Sequence, residues 1–255
     1  MENLEYYLSV AKDAARQAGD LLAKGYGASY ELLQREADHY SINKDSESNL
    51  LYEVFLREKT PDISLYTEEG ERSLASDLVW IVDPLDGTYN YRVALPLFVT
   101  QICLLYKKEP VVSVIYNPIF KQEFTAIKGG GAFLNGSKIF VNETSEMKRA
   151  MLSLSRRTIS LDDGRMVARF SKAVRAVRLF GATGIDLSYI ASGKAEITIN
   201  DGSKIFDYAP GALLVREAGG IVTNLKGEPW TIDDDNLVAS NKLLMPKVLE
   251  IINKA

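Results

Sequence analysis

The stretch Trp80-Ile81-Val82-Asp83-Pro84-Leu85-Asp86-Gly87-Thr88 carries an apolar run straight into two carboxylates three positions apart. The run Leu78–Val82 is short, apolar and bounded by polar residues, which predicts a strand. Pro84 removes a backbone donor and forces a turn, so Asp83 and Asp86 can face one point at the strand's carboxyl end. Hard divalent cations take such oxygens: Mg²⁺ wants near-octahedral oxygen ligation with one or two carboxylates, and keeps waters that a phosphate can replace. Gly87 would let the backbone approach an anion closely, and Thr88 supplies a hydroxyl. The competing reading is an ordinary Asx turn, since Asp-x-x-Asp-Gly also arises by chance.

Upstream of this strand, apolar residues from Leu4 to Leu22 recur at three-to-four spacing and stop at Gly25, which predicts an amphipathic helix. Residues 26–44 show no clear period and several charges, and read as a long loop or a mobile connection. A second helix is expected from Asp45 up to Thr60-Pro61, followed by a strand at Ile63–Tyr66. From Phe98 to Val141, apolar runs separated by turn signals predict an antiparallel meander, with a hairpin at Asn135-Gly136. Gly129-Gly130-Gly131 is followed by neither Gly-Lys-Ser/Thr nor a helix pattern, so it reads as a structural turn rather than a phosphate cradle. After about Ser145 strands and helices alternate. The expected fold class is therefore α/β: an α+β N-terminal half over 1–145 with the acidic motifs, and an α/β C-terminal half over 146–255. No low-complexity linker separates the halves, so they should share a core.

The 255 residues include 30 Lys+Arg and 34 Asp+Glu, a formal net charge of −4, with one histidine and one cysteine. A single histidine, His39, excludes an HExxH zinc site, and a single cysteine, Cys103, excludes an internal disulfide, a zinc ribbon or a CxxC pair. Metal and proton chemistry must then rest mainly on carboxylates. Mild acidity without a Lys/Arg-rich run argues against general nucleic-acid or anionic-membrane binding. The charged N-terminus does not read as a signal peptide, and no apolar run approaches ~18 residues, so a cytoplasmic protein with no membrane span is expected. Cys103, inside an apolar run, reads as an inert core thiol. His39, in the loop, reads as exposed.

Two more acidic points lie at element ends. Thr67-Glu68-Glu69-Gly70-Glu71 follows the strand Ile63–Tyr66, although a solvated acidic loop is the alternative. Asp207 heads an apolar helix expected from about Asp207 to Glu217 with Pro210 in its first turn, where a simple helix cap competes. Three acidic ends in a chain without histidine chemistry suggest a carboxylate metal cluster.

These motifs resemble those of the inositol monophosphatase family of Mg²⁺-dependent, Li⁺-sensitive sugar phosphatases, which includes archaeal and bacterial enzymes with fructose-1,6-bisphosphatase activity. WIVDPLDGTYNY (80–91) is similar to the family's central signature, TEEGE (67–71) stands at its Glu-Glu, and FDYAPGALLVREAGG (206–220) resembles its C-terminal signature. Asp45, the GAFLNG hairpin and GATGIDLSYIASGKA also match, so the resemblance spans nearly the whole chain. It implies a layered αβαβα sandwich, two or three Mg²⁺ ions, hydrolysis of inositol 1-phosphate and of fructose 1,6-bisphosphate, and a homodimer. Residue by residue, it implies that Glu68, Asp83 and the carbonyl of Leu85 bind a first metal and that Asp83, Asp86 and Asp207 bind a second. Asp45 with Thr88, in company with Glu68, would polarise the attacking water. The N–H groups of Gly87 and Thr88 would hold phosphate oxygens. Gly181, Ala182 and Thr183 match the segment that meets the sugar or inositol ring. Asn200 and Asp201 fall where the family contacts ring hydroxyls, and Arg178 falls near the substrate pocket, with Arg175 as a second-phosphate candidate. For these substrate residues a solvated strand or helix end is the alternative.

The chain departs from the pattern at several positions. Phe206 replaces the usual tryptophan and keeps an aromatic wall. Asn200 stands where the animal enzymes carry Glu, which argues against narrow inositol specificity. Residues 27–44 look closer to the catalytic loop of the archaeal dual-specificity type, with Glu36 or Asp38 as further metal candidates. A 3′(2′),5′-bisphosphate nucleotidase of the same family is disfavoured by the short chain. A catalytically silent metal-binding scaffold is disfavoured by the joint presence of Asp45, Glu68, Asp83, Asp86, Thr88 and Asp207.

Overall fold

The computed structural model describes residues 3–28, 32–35, 40–70 and 72–253. Helix α1 (Leu4–Gly25), a hairpin of β1 (Leu32–Arg35) and β2 (Tyr40–Ile42), and α2 (Asn43–Lys59) precede a seven-stranded sheet. Its strands lie in chain order: β3 (Ser64–Thr67), β4 (Leu78–Asp86), β5 (Val99–Tyr106), β6 (Glu109–Asn117), β7 (Gln122–Ile127), β8 (Gly131–Leu134) and β9 (Ser137–Ile139), with a short α3 (Thr88–Arg92) between β4 and β5. The pair β3 and β4 is parallel and the rest is antiparallel, with β5 to β9 forming the meander that the turn spacing predicts. The remaining chain forms β10 (Met151–Leu154), α4 (Arg156–Leu161), α5 (Arg165–Ser171), β11 (Ala176–Arg178), α6 (Thr183–Ala191), β12 (Ile197–Asp201), α7 (Ile205–Glu217), β13 (Ile221–Thr223), β14 (Asn236–Ser240) and α8 (Met245–Asn253). Five of these are strands, ordered β11-β10-β12-β14-β13 in a second, mixed sheet.

Strand alternation explains the layers, because successive side chains point to opposite faces. On β4, Trp80 and Val82 pack against Tyr52 and Leu56 of α2 and the alanine stripe Ala11, Ala14, Ala15 and Ala18 of α1. Val79 and Ile81 face the other way, against Ile185 and Leu187 of α6 and Ala212 and Leu213 of α7. That same cluster continues to Val222, Leu237 and Ala239 of the second sheet. The far face of that sheet, through Ile197, Ile199 and Val238, packs on Phe170 of α5 and Val248 of α8. The result is the αβαβα sandwich expected from the resemblance. The first sheet lies wholly within 1–145 and the second within 146–255, and α6 and α7 join them into one core. Each fully buried large apolar side chain contributes roughly 1.5–3 kcal/mol. Trp80, at 0% exposure, also satisfies its indole N–H, which donates to Thr60 Oγ1 at 3.0 Å.

Several elements differ from the sequence reading. Residues 26–44 are not one long loop: β1 and β2 pair there, antiparallel and with a register shift, in strands too short to show a period of two. His39, Glu36 and Asp38 lie outside the described residues. Helices α2 and α7 each begin two positions earlier than expected, which puts Asp45 and Asp207 third in their helices. Pro210 is therefore the sixth residue of α7 rather than a first-turn residue. The glycine turn is structural: the N–H groups of Gly129 and Gly131 donate to the Glu217 carboxylate at 2.8 and 2.9 Å. Cys103 is fully buried, and burial pushes its thiol pKa up. Among the described residues no helix is long and apolar enough to cross a membrane.

Candidate metal centre

Thr67 and Val82 are register partners in the parallel pair β3–β4, so the next residues, Glu68 and Asp83, emerge side by side at the same strand ends. The N–H of Glu68 donates to Val82 O at 3.1 Å and holds this edge together. Asp83 and Asp86 are an odd number of positions apart, and on a regular strand they would point to opposite faces. The β4–β5 pairing avoids this. Asp83 stands opposite Gln101 and Asp86 opposite Val99, so β4 takes three steps where β5 takes two. This bulge at Pro84-Leu85 aims both carboxylates the same way.

Each carboxylate is oriented by backbone or amide donors. Asp83 accepts the Leu85 N–H at 3.1 Å on Oδ1 and the Gln101 amide at 3.2 Å on Oδ2. Asp86 accepts the Thr183 and Gly184 N–H groups at 3.1 and 2.5 Å, so it is held at the N-terminus of α6. Asp207 reaches back from the third position of α7 to the Lys204 N–H at 2.7 Å. Asp45 does the same in α2, accepting the Ile42 N–H at 2.6 Å. Its other oxygen lies 3.2 Å from Thr88 Oγ1, which is also 3.1 Å from Leu85 O. Ligand oxygens of Asp83, Asp86 and Asp207 lie within 4.8 Å of one another.

Among the described residues no lysine or arginine forms an ion pair with these acids. Burial pushes the Asp45 carboxyl up to about 7, with Glu69 adding to the rise and the Ile42 N–H and Thr88 bonds opposing it. Burial pushes Asp207 up to about 6 against the pull of its Lys204 bond and of the Lys204 and Arg157 charges. Glu68, Asp83 and Asp86 sit well above the usual carboxylate range, first through burial and then through mutual repulsion, in which Asp207 acts on all three. Converging oxygens that no described lysine or arginine pairs with fit a hard divalent ion.

A model of the inositol monophosphatase family matches residues 3–255. The chain belongs to the inositol monophosphatase family. It is 35% identical over 264 residues to a fructose-1,6-bisphosphatase/inositol-1-monophosphatase of Aquifex aeolicus, covering 100% of this chain and 98% of that one. The extragenic suppressor protein suhB of Bartonella henselae superposes with a TM-score of 0.94 at 29% identity, covering 98% of this chain and 99% of that one. An IMPase/NADP phosphatase solved with Mg²⁺ and phosphate superposes with a TM-score of 0.83 at 25% identity, covering 94% and 92%. Members of the family are phosphatases.

The other sequence-predicted residues of this family member fall into two groups. Gly87 has φ +92°, and a methyl there would lie 2.9 Å from Leu97 O and 3.0 Å from the Ala182 Cβ. Ala182 is thus brought against Gly87, with Gly181 against the Asn90 amide and the Thr183 N–H on Asp86. Asn90 holds them there, its amide donating at 2.7 Å to both Leu97 O and Phe180 O. Asp201, half-buried at the end of β12, feels the charges of Asp235 and Arg157. Arg178 ends the edge strand β11, exposed, with its guanidinium on Val177 O at 3.0 Å. Arg175 is exposed before it. Asn200 is placed differently from the expected ring contact. It is fully buried inside β12 and donates to Thr198 Oγ1 at 3.0 Å, because strand alternation turns it inward.

Three contributors escaped the sequence reading. The Gln101 amide has a signal in hindsight, as a polar residue in the middle of an apolar strand. The N–H groups of Thr183 and Gly184 are backbone donors with no side-chain signature. Arg157, whose charge reaches Asp207 and Asp201, lies on α4, a helix too short to be predicted.

Proposed function

We propose that this protein is a Mg²⁺-dependent phosphomonoesterase that hydrolyses inositol 1-phosphate and, as a second substrate, fructose 1,6-bisphosphate. The observation that carries this reading is the convergence of Asp83, Asp86 and Asp207 within 4.8 Å with, among the described residues, no paired lysine or arginine. Glu68, Asp83 and the Leu85 carbonyl would hold one ion, and Asp83, Asp86 and Asp207 another. When bound, the ions neutralise phosphate charge and activate a water for in-line attack.

The chain's own groups would do the rest. Thr88 Oγ1 has one hydrogen to give, and with it directed at Asp45 the hydroxyl can accept a hydrogen from the attacking water. Asp45, fixed by the Ile42 N–H at 2.6 Å and 3.2 Å from Thr88 Oγ1, is placed to take up the proton that Thr88 passes on as it accepts one from the water. The N–H groups of Gly87 and Thr88 would orient phosphate oxygens, and Gly181 to Thr183 would face the alcohol that departs. Asp201, Arg178 and Arg175 are proposed for the outer part of the substrate, and Asn200 has only an indirect part through β12. The double name of the Aquifex aeolicus relative supports the pair of substrates.

The test is phosphate release from inositol 1-phosphate, fructose 1,6-bisphosphate and adenosine 3′,5′-bisphosphate, with Mg²⁺ and with chelator. Release from the first two only with Mg²⁺ is expected. Release from the nucleotide alone would make the chain a bisphosphate nucleotidase, and no release from any of them would sink the enzyme reading.

A further inference from the structure

We infer that Gln101 is a positioning residue that sets the divalent-cation affinity of the site by fixing the carboxylate of Asp83, an inference that rests on the metal-site reading above. Gln101 is 0% exposed on β5. Its neighbours on the same face, Val99 and Cys103, are apolar members of the core that α6 and α7 cover. An aliphatic side chain would suit this position for packing alone. A primary amide there has two N–H donors and one acceptor to satisfy, and burying them without partners costs stability.

Two observations connect that amide to the site rather than to the core. Gln101 is the register partner of Asp83, and it donates to Asp83 Oδ2 at 3.2 Å while the Leu85 N–H holds Oδ1 at 3.1 Å. The two bonds together fix the plane of the carboxylate that the metal reading shares between both ions. The Gln101 Oε1 atom, in contrast, has no hydrogen-bond partner. It points at the first turn of α6, where a methyl on Gly184 would lie 2.9 Å from it and 3.0 Å from Asp86 Oδ2. The amide therefore fills the space between Asp83 and the helix turn whose N–H groups hold Asp86, at the expense of one unpaired oxygen. Groups that orient a metal ligand in this way are typically worth about 10–100-fold in metal affinity.

The experiment is calorimetric titration of MgCl₂ into the metal-free, full-length protein, comparing wild type, Gln101→Met and Gln101→Asn. Methionine keeps the length without the donor, and asparagine keeps the amide but draws it back by one methylene. Circular dichroism and the metal-free melting temperature are recorded for each. The expected result is Mg²⁺ binding weakened by about 10-fold or more in both variants, with the metal-free melting temperature of Gln101→Met no lower than that of wild type. Unchanged affinity in a folded variant overturns the inference and leaves the metal site standing, as does a pair of variants that do not fold, which would make Gln101 a packing residue. Absence of any Mg²⁺ titration in wild type overturns the metal-site reading itself and takes the inference with it.

Discussion

Thr88 Oγ1 lies 3.2 Å from Asp45 Oδ1, a contact that joins the head of α3 to the head of α2 across the rim of the first sheet. The hydroxyl has one hydrogen and two acceptors within reach, Asp45 and the Leu85 carbonyl, so it can report on and adjust the protonation of the acid. Thr88→Val keeps the shape and removes the hydroxyl. Loss of a positioned proton-transfer partner typically costs 10²–10⁴-fold, so kcat with Mg²⁺ should fall by about 100-fold or more, while Thr88→Ser retains most of the rate. Steady-state phosphate release on both variants checks this, and a valine variant of near-normal rate contradicts the role.

Asp83 is fully buried among other acids. Asp83→Asn deletes a proposed ligand and one of the repelling charges in a single step. Mg²⁺-dependent activity should be lost, while the metal-free protein becomes as stable as wild type or more so. Melting curves in chelator beside activity assays test both halves. A variant that is inactive because it is unfolded would contradict the second.

The raised carboxyl pKa values link stability to pH with a definite sign. The folded pKa values, about 7 for Asp45 and about 6 for Asp207, lie above the unfolded value of ~3.9, so the folded protein holds more protons between them. This contribution is fully present below pH ~4 and is lost as pH rises through about 6–7. In chelator these groups should lower the melting temperature from pH 5 to pH 8. Millimolar Mg²⁺ at pH 8 should reverse the loss, because the cation replaces the protons. Scanning fluorimetry across that range decides it: a metal-free melting temperature that climbs over the same interval runs against the sign.

Gly184 lets α6 pack tightly on β5. A methyl there would stand 2.7 Å from Val99 Cγ2 and 3.0 Å from Asp86 Oδ2. Gly184→Ala should destabilise the fold by about 1–3 kcal/mol through overpacking and also weaken Mg²⁺ binding, because the N–H groups that orient Asp86 move with the helix. Chemical denaturation and cation titration measure the two effects separately.

Sequence reading reached far into this molecule where chemistry and local geometry coincide. The Asp83-Pro84-Leu85-Asp86 turn was legible because an apolar run ends in acids around a proline, and Asp207 because it follows Ile205-Phe206 at the head of an apolar helix. The αβαβα layering rested on resemblance, since periodicity alone left the sheet orders open. The bulge was not legible, because it lies in the pairing of two strands and not in either one. The same holds for Asn200, whose direction depends on strand phase. The early starts of α2 and α7 are set by Asp45 and Asp207, which sit third in their helices and each accept the N–H three positions earlier, a bond that the hydrophobic pattern does not show. The β1–β2 hairpin was missed because strands of four and three residues leave no measurable alternation.

The acidic cluster draws on α2 below the first sheet, on the ends of β3 and β4 within it, and on α6 and α7 above it. Asp207 and the amides that steady Asp86 come from the last third of the chain, whereas Asp45 comes from the first fifth. A nascent or truncated chain ending near residue 145 would hold only part of the oxygen set. The proposed cation site therefore needs both halves of the chain in place, and a Mg²⁺ titration would double as a measure of how much of the population has completed its final layer.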